Sequence, residues 1–146
     1  MKVRDFMRNN PRQVITAREN TSIPATMSLL LHNRISCLPI LDDQAELVGI
    51  ISDKDIFRAA YEDPHGFVDL SVKQLMTTNL LVGLADDDLD YIAGVMTNNR
   101  IRHVPIVENK RLIGLLSVGD IVKSQLKNIQ IENRYLWKYI SDEYPG

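Results

Sequence analysis

The chain has 146 residues, of which 45% are hydrophobic and 25% charged, and its formal net charge at pH 7 is -2. That length buries a core and about two-thirds of the unfolded surface without disulfides, and the single cysteine, Cys37, has no second thiol in the chain to pair with. There is no global basic excess of the kind that drives nucleic-acid or membrane binding, no apolar run of about 18 residues and no cleavable signal pattern. A cytoplasmic location is expected, with neither nucleic acid nor membrane among the partners, and any anionic ligand must be held by local positive groups.

In chain order, Ile23, Met27, Leu30 and Leu31 fall at helical spacing, with Asn20, Thr21 and Ser22 available as N-caps and Pro24 tolerable in the first turn. A short apolar run around Pro39 then meets a second, Leu47 to Ile51, across a polar turn, which predicts two strands followed by a helix. The order then starts again. Val3-Arg4-Asp5-Phe6-Met7 returns as Val72-Lys73-Gln74-Leu75-Met76, and Asn33 to Ile40 returns as Asn99 to Ile106. Leu47 to Ile56 returns as Leu112 to Ile121, while Leu89, Ile92, Ala93 and Met96 repeat the helical stripe after Asp86-Asp87-Asp88. Such self-similarity decides the architecture: an α/β (α+β) fold of two βαββα-type repeats, residues 1–66 and 67–127, related by a pseudo-twofold axis. Unbroken apolar strands call for a small sheet covered by helices in each copy. The stretch from Ser124 to Gly146, with Tyr135, Trp137 and Tyr139 interleaved among apolar residues, predicts a helical extension over 128–146 that covers the chain's own core or docks on a partner subunit.

The most informative motif is Gly, two hydrophobic residues, Ser, two variable residues, Asp, present as Gly49 to Asp55 and Gly114 to Asp120. Read structurally, Ser52 and Ser117 are N-caps and the carboxylates three residues on complete capping boxes. Read functionally, the glycine lets a ligand approach the strand end, hydroxyl and backbone N–H groups face an anion, and the carboxylate accepts two ribose hydroxyls. The two readings are compatible. Asp86-Asp87-Asp88 precedes a helix, where carboxylates favour the dipole's positive end over any metal role. Cys37 has no adjacent basic residue to activate it, His32, His65 and His103 lack zinc spacing, and no positioned general base, nucleophile or glycine-rich phosphate cradle is present.

The ordered set of Val-x-x-x-Met, Val14-Ile15-Thr16, the Leu38-Pro39-Ile40 strand and the Gly49-to-Asp55 motif, all repeated, resembles a pair of CBS domains, the arrangement called a Bateman module, over residues 2 to 127. The resemblance implies a regulatory, non-catalytic module that binds an adenosine-containing ligand (AMP, ADP, ATP, S-adenosylmethionine or NAD, with or without Mg2+) in clefts between the repeats. It implies Asp55 and Asp120 as ribose carboxylates with Ser52 and Ser117 close to the sugar or phosphate. Asp120 would be served by Thr16, Ser36 and Cys37, and Asp55 would face Val82, Gly83 and the stretch around Arg102. Arg102, His103 and Lys54 are the positions for phosphate. Because Val82 replaces the hydroxyl of Thr16, the tighter site is expected at Asp120. No attached enzyme or transporter domain fits in the sequence, so the chain resembles stand-alone members, whose output passes through a homodimer of CBS pairs or an unidentified regulated protein. The alternative is a constitutive dimerisation scaffold in which the motifs serve only as caps.

Overall fold

The computed structural model describes residues 1–126; the helical extension expected over 128–146 lies outside them. Helix α1 (Val3–Asn9) precedes the short strand β1 (Ala17–Arg18), helix α2 (Ile23–Asn33), the hairpin of β2 (Cys37–Leu41) and β3 (Leu47–Ser52), and helix α3 (Asp53–Glu62). After a 3-10 turn at Phe67–Asp69, the order returns as α4 (Val72–Leu75), α5 (Leu89–Asn99), β4 (His103–Glu108), β5 (Arg111–Ser117) and α6 (Val118–Gln125). The fold is α+β, as the repeat pattern predicts.

Helix α2 starts where the sequence offers a cap: the Ser22 hydroxyl accepts the Ala25 N–H at 3.1 Å. Its buried stripe is Ile23, Thr26 and Leu30, whereas Leu31, expected on that stripe, is exposed. At 100° per residue Leu31 lies on the margin of a face centred on Ile23 and Leu30. Thr26 can be buried instead because its hydroxyl donates to the Ser22 carbonyl at 2.8 Å. The second stripe buries Leu89, Ile92 and Met96 on α5.

In the first sheet β1 runs parallel to β2, which pairs antiparallel with β3 in the register Pro39 with Ile50 and Ile40 with Gly49. In the second, β4 pairs with β5 in the matching register, Pro105 with Leu115 and Ile106 with Gly114, and a parallel bridge from Gly83 to Ile106 stands where β1 stands in the first. Proline in a strand lacks a ladder donor. Here the Ile50 N–H and C=O both bond outward to Thr77, at 3.0 and 2.8 Å, so the opposing Pro39 is in a pair that needs no N–H from it.

The repeats in the sequence and the packed cores do not coincide. Val3 and Phe6 of α1 are buried with Leu89, Ile92, Val104, Ile106 and Leu116 of the second repeat, and Val72 of α4 is buried with Ile23, Leu38, Ile40 and Ile51 of the first. Each repeat hands its opening helix to the other. The exchange is pinned by backbone bonds from Val3 N–H to the Asp87 carbonyl and from Arg4 N–H to the Ala85 carbonyl, at 2.9 and 2.8 Å. The Asp86-Asp87-Asp88 run contributes ion pairs from Asp86 to Arg4 at 3.0 Å and from Asp88 to Lys2 at 3.5 Å.

The glycines of the repeated motif serve the same exchange. A Cβ on Gly49 would stand 2.5 Å from the Met76 sulfur, and one on Gly114 would stand 2.6 Å from that of Met7. What approaches these strands is thus a methionine of the other repeat, which corrects the expectation that the glycines make room for a ligand.

Candidate functional site

Both capping boxes form. The Ser52 hydroxyl accepts the Asp55 N–H at 3.2 Å and the Asp55 carboxylate accepts the Ser52 N–H at 2.8 Å; Ser117 and Asp120 repeat this at 3.1 and 2.8 Å. The carbonyls of Ser36 and Arg102 accept the N–H groups of Asp53 and Val118 at 2.9 and 3.0 Å, which ties the segment before each strand proline to the start of the following helix. Several amides expected to face an anion are therefore used by the chain itself.

Segments of both repeats line a cleft of about 560 Å3. Ser36, Cys37, Ser52, Asp53, Lys54 and Phe57 line it from the first repeat, and Thr77, Leu81, Arg100, Arg102 and His103 from the second. The volume lies within the range of sites for small organic ligands, about 300–1,000 Å3. Of the residues singled out in the sequence, Ser36, Cys37, Ser52, Lys54, Arg102 and His103 meet here. Ser36, expected beside Asp120, lies instead in this cleft with Ser52 of its own repeat, because its carbonyl is tied to Asp53. Asp55 and Val82 are not among the lining residues; the Asp55 carboxylate is turned back onto its cap.

Arg100 and Asp53 also line the cleft and were not anticipated. Arg100 ends α5 in the left-handed region with φ 54°, as Arg34 ends α2 with φ 53°. The Asn-Arg pair closing both helical stripes was the available signal. Among the described residues, no carboxylate lies within ion-pair distance of Lys54, Arg100 or Arg102. Burial pushes the Cys37 thiol up to about 12, reinforced by the Asp53 charge, so it stays protonated. His103 is pulled below its ordinary value by burial first and by Arg102 next, against the opposing pull of Asp120 and Asp53.

The quasi-equivalent cleft at the second motif is smaller, about 210 Å3, and is lined by Arg12, Gln13, Val14, Ile15, Ile35, Cys37, His103, Leu115 and Ser117. Neither Thr16 nor Asp120 is among them. Arg12 Nη1 donates to Asp120 Oδ1 at 2.9 Å, Nη2 donates to Oδ2, and Nη2 also donates to the Leu115 carbonyl at 2.8 Å. Burial alone would push the Asp120 carboxyl up, but bonds from Arg12 and the Ser117 N–H outweigh it and hold it below the ordinary carboxylate value. Arg12 is shifted up in turn by the hydrogen bond to Asp120. Sequence reading passed over Arg12 because it lies outside every repeated block.

The whole arrangement of exchanged helices, paired hairpins and two clefts related by a pseudo-twofold axis can be compared with known proteins. A family model described as CBS domain matches residues 3–62 and 72–127. The chain belongs to the CBS domain family. The CBS-domain containing protein ATU1752 from Agrobacterium tumefaciens is similar with a TM-score of 0.79 and 30% identity over 85% of this chain and 92% of that one. The CBS domain pair of protein MJ0100, solved with methylthioadenosine and S-adenosyl-L-methionine, gives a TM-score of 0.75 at 29% identity, over 86% of this chain and 95% of that one. CBSX2 in complex with AMP gives 0.74 at 29% identity, over 88% of this chain and 98% of that one. The L-aspartate semialdehyde sulfurtransferase of Methanocaldococcus jannaschii is 32% identical over 120 residues, so the chain spans 22% of the length of that curated relative. The CBS pairs of MJ0100 and CBSX2 thus hold adenosyl ligands. No helix among the described residues is long and apolar enough to cross a membrane.

Proposed function

We propose that this CBS pair is a regulatory module that binds an adenine nucleotide in the larger cleft. The observation that carries the reading is the composition of that cleft. Ile50, Phe57, Leu81 and Ile101 offer an apolar bed for a base, while Lys54, Arg100 and Arg102 bring three cations against the single carboxylate of Asp53. Charge-assisted bonds to phosphate contribute about 1.5–3 kcal/mol each when desolvated, so this balance favours AMP, ADP or ATP over S-adenosylmethionine, whose sulfonium adds positive charge. Mg2+ accompanying a polyphosphate is compatible with Asp53 at the rim. The protonated Cys37 thiol supports a binding role over nucleophilic catalysis. A ligand bridging Ser36 of one repeat and Arg102 of the other changes the free energy of any assembly in which the repeats pack differently, in proportion to its differential affinity.

The assembly expected is a homodimer. Phe57 and Tyr61, one turn apart on α3, are 76% and 83% exposed; on α6, Val122, which matches Phe57, is 44% exposed, and Val118, one turn before it and matching Asp53, is 40% exposed. A second copy laid on these helices would cover both pairs, and Phe57, which also lines the cleft, would link occupancy to assembly. We place the protein in the cytoplasm, consistent with a buried, unpaired Cys37. The competing reading, a scaffold with no ligand, draws support from the capping boxes, which by themselves account for the Ser and Asp of each motif.

Thermal unfolding with and without AMP, ADP, ATP, adenosine and S-adenosylmethionine separates the two. A ligand at about 100 times its dissociation constant adds about 2.7 kcal/mol, several degrees in Tm. Arg102→Ala is expected to lose most of the shift with AMP and ATP and to keep that with adenosine. No shift with any adenosyl compound would favour the scaffold.

A further inference from the structure

We propose that Arg12, which lines the second cleft, is a resident lid over Asp120 beside it, a side-chain gate that denies this carboxylate to a ligand's ribose until the guanidinium is displaced. The inference rests on the reading of the two motif carboxylates as ribose acceptors and adds that they are unequal.

The inequality is geometric. Asp120 gives Oδ2 to the Ser117 N–H and to Arg12, and Oδ1 to Arg12 alone, so the guanidinium fork covers the edge a vicinal diol would use. The Asp120 side chain is 9% exposed and that of Arg12 48%, so the lid is on the solvent side. Asp55 also gives Oδ2 to its cap, but among the described residues its cation is Arg58 on its own helix, 4.0 Å from Oδ1 and beyond hydrogen-bond range. Asp55 keeps a free edge, and Asp120 does not.

The cause lies in the chain between the exchanged helix and the first strand. Three residues more separate Met7 from Ala17 than separate Met76 from Gly83, the positions that bridge Ile40 and Ile106 in parallel. In the first repeat the Ile50 carbonyl, on the outer edge of β3, accepts the Thr77 N–H at 2.8 Å. The corresponding carbonyl on β5, that of Leu115, accepts Arg12 Nη2 instead, because Arg8, which follows Met7 as Thr77 follows Met76, is held within α1. The longer segment thus replaces a backbone donor with a side chain that reaches both the sheet edge and the carboxylate. A ligand entering must displace a charge-assisted fork from a buried carboxylate, which lowers affinity there by roughly ten- to a hundredfold.

Calorimetric titration of the full chain with AMP tests the gate. The wild type is expected to take up one equivalent per chain and Arg12→Ala two, the added equivalent being lost again when Asp120→Asn is combined with it. Arg12→Lys, which keeps the charge but not the fork, is expected to admit the second equivalent with weaker affinity, and it stands in should the alanine variant not fold. One equivalent in wild type and both variants, or two equal equivalents already in the wild type, would overturn the gate and leave the nucleotide reading intact. Uptake by the variants with none by the wild type would uphold the gate and sink the larger-cleft reading. No uptake by any of them would remove both.

Discussion

Asp55 and Asp120 occupy the same place in two copies of one motif, and each closes the same capping box. Their surroundings differ because of residues the motif does not include. Removing either serine cap, Ser52→Ala or Ser117→Ala, is expected to cost about 1 kcal/mol in denaturant unfolding. Ser117→Ala should cost more, since it also loosens a carboxylate paired with Arg12. His103 supplies a pH signature. Its folded pKa is below the ordinary 6.5 because of burial and Arg102, so between those two values the unfolded chain binds a proton that the folded chain refuses. Stability is then expected to rise with pH on the acid side of the ordinary histidine value and to flatten above it, with a shallower slope in His103→Gln. Asp120, depressed below 3.8, adds a second loss only in stronger acid, as the pH falls through its folded value. A slope unchanged by His103→Gln would refute the assignment.

At the scale of elements, the two arginines that end α2 and α5 are held in a conformation that glycine adopts more readily. Arg34→Gly is expected to stabilise by about 0.5–1 kcal/mol. Arg100→Gly should gain similarly and weaken nucleotide binding, because Arg100 lines the cleft and Arg34 does not. Strain tolerated at Arg100 would then be a cost of function. Gly49→Ala is expected to destabilise by about 1–3 kcal/mol, and Gly114→Ala by less: a Cβ on Gly49 meets the Thr77 carbonyl at 3.1 Å as well as a methionine, whereas Gly114 faces mainly the flexible Met7. Elements were the most legible part of the sequence. Both helical stripes, both hairpins and both capping boxes follow from local spacing and cap chemistry. The purpose of the glycines was not legible, since it depends on a methionine from the other repeat.

For the molecule as a whole, the sequence revealed two copies but not that they exchange their first helices, because periodicity reports which residues are buried and not against what. Phe6, close to the start of the chain, belongs to the core of the second repeat. Phe6→Ala is expected to cost about 3–5 kcal/mol and to unfold both repeats in one transition; separate transitions would show that the exchange does not couple them. The candidate site was legible in part for the same reason. Ser36, Ser52, Lys54 and Arg102 belong to repeated blocks and meet in the larger cleft, whereas Arg12 and the Thr77-to-Leu81 segment fall where the repeats differ in length. Tighter binding was expected at Asp120; we propose the opposite order, from the size and charge of the two clefts. The roomier, more cationic one is on the Asp55 side. The central claim, a nucleotide held between the Ser36 and Arg102 segments, is tested most directly by following backbone amide signals during titration with AMP. The account predicts saturable shifts at residues 36–37, 52–54, 77–81 and 100–103, with little change at 12–15 and 115–120. Shifts concentrated at 12–15 and 115–120, or none at any AMP concentration, would contradict it.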